Sequence, residues 1–239
     1  MTITSDALLA QFRLDVDDNE QPYLWSDAEV LSYIDSSQKW FCRKVEGIGD
    51  ASSTLTQISV NVGDEWKPIS PLILRFRDAY ALSDGCPVAI INYEDLVARR
   101  VRFDGRTGPV RTIVIGMEPG RVRLNPIAAI ADTIQLLVDR LPLKAITDIG
   151  QNLEVQDQHF DGLMYWVKHM AYSKQDAQVM DKNASEEYKA KFMEYAHDAL
   201  VEKQRAKHKT RVVAYGGVGD SHGHRLGYGS GYGGNNYGQ

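Results

Sequence analysis

The stretch "HFDGLMYWVKHMAYSKQDAQVM", residues 159–180, constrains the fold most. It reads as one helix, yet between Phe160 and Tyr172 only Asp161, Lys168 and His169 are plainly hydrophilic. An amphipathic surface helix buries one stripe, so a helix apolar on several sides must be covered on several sides. Phe160, Leu163, Val167, Met170 and Ala171 form the stripe expected to face the chain's own helices. Tyr165, Trp166, His169 and Tyr172 fall on other sides and are expected at a contact with a neighbouring subunit. On that reading, a small polar residue at Trp166 or Tyr172 harms assembly more than folding.

The rest of the chain allows an ordinary core. With 43% apolar and 25% charged residues in 239, one large domain or two small ones can form. The net charge of −5 argues against a surface built throughout for nucleic acid, which would be dominated by Lys and Arg. Cys42 and Cys86 form neither a disulfide framework nor a zinc knuckle. The N-terminal "MTITSDALLAQF" lacks a basic segment followed by a long apolar run, and no stretch approaches the ~18 apolar residues of a membrane span. The expectation is a protein made in a cytoplasm, with no membrane partner.

The acidic run "DVDDNEQP" and the absence of a sustained period make residues 1–22 a loose arm. A helix follows over 26–46. Ser26 and Glu29 form a capping box, Trp25 and Val30 a hydrophobic staple, and Val30, Ile34, Phe41 and Val45 recur on one face until "EGIGD" supplies glycines. Between 54 and 142 the period changes to two, in "LTQISVNV", "AIINYE", "RTIVIG", "RVRLNP" and "DTIQLLVDRL", which predicts a mainly antiparallel β insertion. Helices over 157–180, capped by Asp157, and 184–208, opened by Asn183 with Glu186, read as an αα-hairpin. The second ends in Lys203, Arg205, Lys207 and Lys209, which suits the helix dipole. The fold expected is α+β: a mainly helical bundle, from the N-terminal helix and the hairpin, carrying the inserted β region. Beyond Tyr215, "GGVGDSHGHRLGYGSGYGGNNYGQ" holds half of the twenty glycines and is expected to be flexible.

Catalytic motifs are weak. "GDSHGH" suggests a Gly-Asp-Ser hydrolase or a metallophosphatase loop, with Asp220 or His222 essential, but both need a preceding buried strand that a glycine-rich end cannot supply. His222 and His224 alone make no metal site. The phosphate-binding, dinucleotide and nucleophile-elbow motifs are missing, so neither enzyme, metal nor cofactor is expected. The cluster "KQRAKHKTR" has two readings, a solvated helix end or a contact with phosphates or an acidic partner. The following "TRVVAY" suits strand addition to a partner or pairing with the chain's own sheet.

Several strings in fixed order resemble the head-to-tail adaptor (connector) proteins of tailed bacteriophages, the short-tailed kind in particular. They are "LWSDAEVLSYIDSSQKWF" (24–41), "DGCPVAIIN" (84–92), "GRVRLNP" (120–126), "VDRLPL" (138–143) and the helical pair with Trp166, Ala171, Tyr172, Asp176, Tyr188 and Phe192. The resemblance covers about residues 24–205. The acidic arm, the Gly/Tyr tail and the basic "EDLVARRVRFDGRTGPVR" (94–111) depart from it. It implies a structural virion protein of the neck, assembled in the host cytoplasm. Twelve copies would form a homo-oligomeric ring between portal and tail or nozzle protein, with double-stranded DNA passing through the lumen. The portal-docking segment would be Lys207, Lys209, Thr210, Arg211, Val212, Val213, Ala214 and Tyr215, ordered only on the portal. The β region Leu55 to Leu141 would face the tail or a neighbour. The competing reading is a nucleic-acid-binding module whose Gly/Tyr tail stacks on bases; the lone Arg225 and the acidic chain weigh against it.

Overall fold

The computed structural model describes residues 2–99, 103, 105–175 and 180–207. The Gly/Tyr tail with "GDSHGH", the docking residues Lys209 to Tyr215 and part of the basic 94–111 stretch lie outside them.

The acidic arm is not loose. Strand β1 (Thr2–Thr4) leads into helix α1 (Ser5–Asp15), whose Leu8, Leu9 and Phe12 are buried. Eleven residues are too few for a stable helix alone, so α1 owes its order to this packing. The acidic run beyond it is anchored by Arg13. Its Nη1 pairs with Asp18, and its Nη2 donates to the Trp25 carbonyl at 2.6 Å and the Asp27 carboxylate at 2.7 Å. The guanidinium also lies 3.8 Å from the centre of the Tyr23 ring. Charges that look solvated in sequence are therefore the clasp between the first two helices.

Helix α2 (Asp27–Lys44) opens with the Ser26–Glu29 capping box, and Trp25 and Val30 are both buried in the core. It ends as the backbone turns left-handed at Glu46 and Gly47. Strand β2 (Ile48–Asp50) follows, then β3 (Gln57–Val60), β4 (Trp66–Pro68), β5 (Ile73–Ala81), β6 (Ala89–Asn92) and the short helix α3 (Tyr93–Ala98). Next come β7 (Thr107–Gly108), β8 (Thr112–Glu118), β9 (Arg121–Asn125), β10 (Ile127–Ala128), β11 (Asp132–Arg140) and β12 (Asn152–Gln156). Helices α4 (Phe160–Tyr172) and α5 (Lys182–Lys207) close the described chain.

The expectation of a mainly helical bundle is wrong. Of the described residues 40% are helical and 29% lie in strands, arranged in four sheets, which makes an α+β fold with two cores of comparable standing. In one sheet β11 is the hub: β5 pairs along one edge, while β2 and β3 share the other. The second sheet has the order β4-β9-β8-β6, with β6 and β8 parallel. Apolar residues of the two sheets, among them Ile58, Ala79, Ile113, Leu124, Ile134 and Leu136, form one core. The other gathers α1, α2, α4 and α5 with the β1–β12 pair, which lies outside the expected 54–142 insertion.

The hairpin helices also differ from expectation. Asp157 opens a 3-10 turn and His159, without a side-chain cap bond, precedes α4. The helix stops at Tyr172, not 180, where Ser173 Oγ donates back to the Met170 carbonyl and offers the backbone an alternative partner. Asp181, not Asn183, accepts the Ala184 N–H at the start of α5.

Replacing Arg13 by Met leaves Asp18, 4% exposed, without its cation. The expected loss is about 3–5 kcal/mol of unfolding free energy, measured by urea denaturation. An arm without structural weight would show no change.

Candidate functional site

Three elements cover α4. On the α1 side Lys168 reaches Asp15 at 2.7 Å, and Trp25 Nε1 donates to the Ala171 carbonyl at 3.1 Å. On the α2 side Trp166 Nε1 donates to Ser36 Oγ at 3.1 Å while its ring packs 5.2 Å from Trp40. Toward α5, Trp166 lies 4.9 Å from Phe192, and Tyr172 stacks on Tyr188 at 5.9 Å with planes 6° apart. Gly162 lets α5 come close, since a Cβ there would stand 2.3 Å from the Tyr195 ring.

The four residues expected at a subunit contact are thus already engaged inside the chain. Trp166 is 7% exposed and has almost no surface left to offer. His169 Nδ1 lies 3.0 Å from the Ser185 carbonyl and 2.9 Å from its hydroxyl; a carbonyl can only accept, so the proton sits on Nδ1. Tyr165, His169 and Tyr172 remain half-buried. Of the docking segment only Lys207 falls within the described residues, as the last residue of α5.

The last turns of α5 approach the end of α2. Lys203 Nζ donates to the Val45 carbonyl at 2.9 Å and the Gly47 carbonyl at 2.6 Å, closing a helix C-terminus that would otherwise present bare acceptors. Beside it lies a cleft of about 480 Å³ bordered by α2, β2, β12 and α5, with Phe41, Val45, Ile48, Val155, His159 and Ala199 in its wall. Burial pushes the Cys42 thiol up to about 12, so this lining residue is no nucleophile.

His159 is held in place by a chain of hydrogen bonds. Tyr195 Oη donates to the Gln158 carbonyl at 3.0 Å and accepts from His159 Nδ1 at 3.1 Å. The ring rests 4.6 Å from that of Phe41, and burial holds its pKa below the ordinary histidine value. At the inner end Arg140 donates to Asp50 on β2 and, at 2.6 Å, to Glu154 on β12. Burial alone would raise the Asp50 pKa, but hydrogen bonds from Ser53, the Ser52 N–H and Arg140 outweigh it and keep the carboxylate ionised well below its usual range. Sequence patterns gave no signal for Arg140 or for the cleft; Lys203 was visible only as one of a basic cluster.

Elsewhere, Arg111 of the basic stretch pairs with Asp84 at 2.7 Å, and the Arg123 guanidinium lies 3.7 Å from the centre of the Phe103 ring. Among the described residues no group of three or more His, Cys, Asp or Glu could hold a metal ion. No helix among them is long and apolar enough to cross a membrane.

The family model described as SU10 adaptor protein matches residues 3–215. The match takes in β1 and α1, which the earlier resemblance left out. No curated protein matches the chain.

Truncating Trp166 to Ala is expected to cost the isolated subunit about 3–5 kcal/mol, measured by denaturant unfolding, because the side chain fills the space between three helices. A second outcome concerns pH. The folded pKa of His159 lies below the unfolded value of about 6.5, so the unfolded state binds more protons as pH falls. Its contribution is whole above that value and is lost as pH drops through the folded pKa. The urea midpoint should therefore fall more between pH 7 and pH 5 in the wild type than in His159→Phe.

Proposed function

The chain belongs to the SU10 adaptor protein family, the phage head-to-tail adaptors, and from that premise we propose that it joins the portal vertex to the tail as a ring of identical subunits. It is a structural component of the virion. In the proposed ring, of twelve subunits, residues 207–215 dock on the portal, the opposite face receives the tail or nozzle protein, and double-stranded DNA passes through the lumen.

The observation that carries the reading is the family match over 3–215, nearly the whole described chain. Physical features agree with it. A closed ring needs two different complementary patches on each subunit. Half-buried Tyr165, His169 and Tyr172 offer the residual surface of α4 for one of them, without Trp166. At one end of the β core the loops expose Val62, Leu82 and Ile130, three aliphatic side chains that a lone subunit gains nothing by showing to water. A net charge of −5 suits DNA that must slide, since dense phosphate contacts would retard it. The Thr210-Arg211-Val212-Val213 run, β-branched and basic, suits addition to a partner's sheet, with the ordering cost met only when the portal is present.

The full chain and a chain ending at residue 206, matched by circular dichroism, should differ in binding to purified portal rings by at least tenfold. Undiminished binding by the shorter chain overturns docking through the C-terminal segment. Failure of both to bind overturns the portal as partner.

A further inference from the structure

Helix α2 carries opposite charge at its two ends. Its last turn holds Arg43 and Lys44, and neither forms a salt bridge among the described residues. Their guanidinium and ammonium groups stand 6.0 Å and 5.8 Å from the centre of the Trp40 ring, which is itself exposed. The charges on either side of them in sequence are engaged within the chain, Lys39 by Asp35 and Glu46 by Arg75. At the other end of α2, the loop that leads in from α1 carries exposed Asp17 and Glu20, again without a salt bridge among the described residues. The cations that reach this end are already held: Arg13 by Asp18 and Asp27, Lys168 by Asp15 and Lys174 by Glu29. Leu14, Tyr23 and Leu24 are exposed on the same loop and the helix before it, and Tyr172, with its ring 6.0 Å from that of Trp25, links this patch to the residual surface of α4.

The two patches cannot meet within one subunit, because the 18 residues of α2 hold them about 27 Å apart. The helix dipole explains the sign of charge at each end. It does not explain why Trp40 is exposed among the cations, or Tyr23 and Leu24 among the acids. Aromatic and arginine side chains carry most of the energy where proteins meet, and apolar groups gathered beside charge of one sign mark such a surface. Each patch here offers apolar contact, and each has the sign of charge that the other lacks.

We propose that the basic patch of one copy, Trp40 with Arg43 and Lys44, docks on the acidic patch of the next copy, Asp17 and Glu20 with Tyr23 and Leu24. The inference rests on the ring reading and names the two surfaces that join its subunits. Because the patches differ, the contact is heterologous, and repeating it closes a ring when the rotation between copies permits. Opposite charge steers the encounter and rejects the arrangements in which like meets like, while the aromatic and aliphatic side chains supply the buried centre.

The test uses the full chain, as an equal mixture of unlabelled and isotope-labelled copies, assembled on purified portal rings. A water-soluble carbodiimide then joins amines to carboxylates in direct contact. Peptides linking Lys44 to Asp17 or Glu20 should carry both labels, which marks the link as one between copies. Arg43→Glu should reduce the Lys44–Asp17 link roughly fivefold or more, because it sets like charges against each other. Combining it with Glu20→Lys in one chain should restore the link, since the exchanged charges again face their opposites. Both positions are exposed, so thermal unfolding should stay close to that of the wild type. Portal-bound copies with no mixed-label link, a link indifferent to Arg43→Glu, or one that the paired substitution fails to restore overturns this contact while the adaptor reading stands. Failure of the wild-type chain to bind portal rings overturns both.

Discussion

Arg140 stands where the two cores meet. It belongs to β11, the hub strand of the first sheet, and its guanidinium holds Asp50 of β2 on one side and Glu154 of β12 on the other. Glu154 in turn accepts the N–H of Leu143, fixing the chain as it leaves β11. β12 pairs with β1, and β1 leads into α1, so a single buried cation ties the sheet to the helical core. Taking three charges out of water is costly, and replacing such a group with apolar side chains would often be neutral or better for stability. What the ionic joint offers is direction: a guanidinium donates in a fixed plane, so it sets where β2 and β12 lie relative to β11. Those two strands, with the ends of α2 and α5, wall the cleft.

Legibility in the sequence followed the range of the interaction responsible. α2 could be read because its signals are local: the Ser26–Glu29 box, the staple pair and the stop after Val45 lie within one helix length. α1 could not. Its three apolar side chains fit a helix period, but the decisive contacts come from Trp25, α2 and α4, and the acidic run after it looked like solvated chain until Arg13 was placed against Asp18 and Asp27. The strands of the insertion were visible through their alternation. Their division into two sheets was not, because β11 pairs with β2, β3 and β5, all distant in sequence. The balance of helix and strand was misjudged for the same reason, since β1, β2 and β12 are short and carry little period of their own.

The apolar excess of α4 reads as a demand for several partners, and contacts within the chain meet much of it. α1, read from sequence as a loose arm, supplies a third side to the helix through the Asp15–Lys168 pair, while Trp166 is covered by α2 and α5 and the Ala171 carbonyl by Trp25. An unrecognised helix leaves surface elsewhere in need of an explanation, as α1 does for the Lys168 side of α4. The same logic limits what hydrophobic surplus in a sequence can establish about assembly, because a missing intramolecular partner and an intermolecular one leave identical patterns.

Strand edges pose the opposite problem. No side-chain pattern announces them, since the groups left unpaired belong to the backbone and are common to every residue. β2 is flanked by Gly47 and contains Gly49, while β12 is bracketed by Asn152 and Gln156, and none of these stands out in composition. Only their placement in space brings both strands to one cleft, with Arg140 at one end and Lys203, which seals α2, at the other.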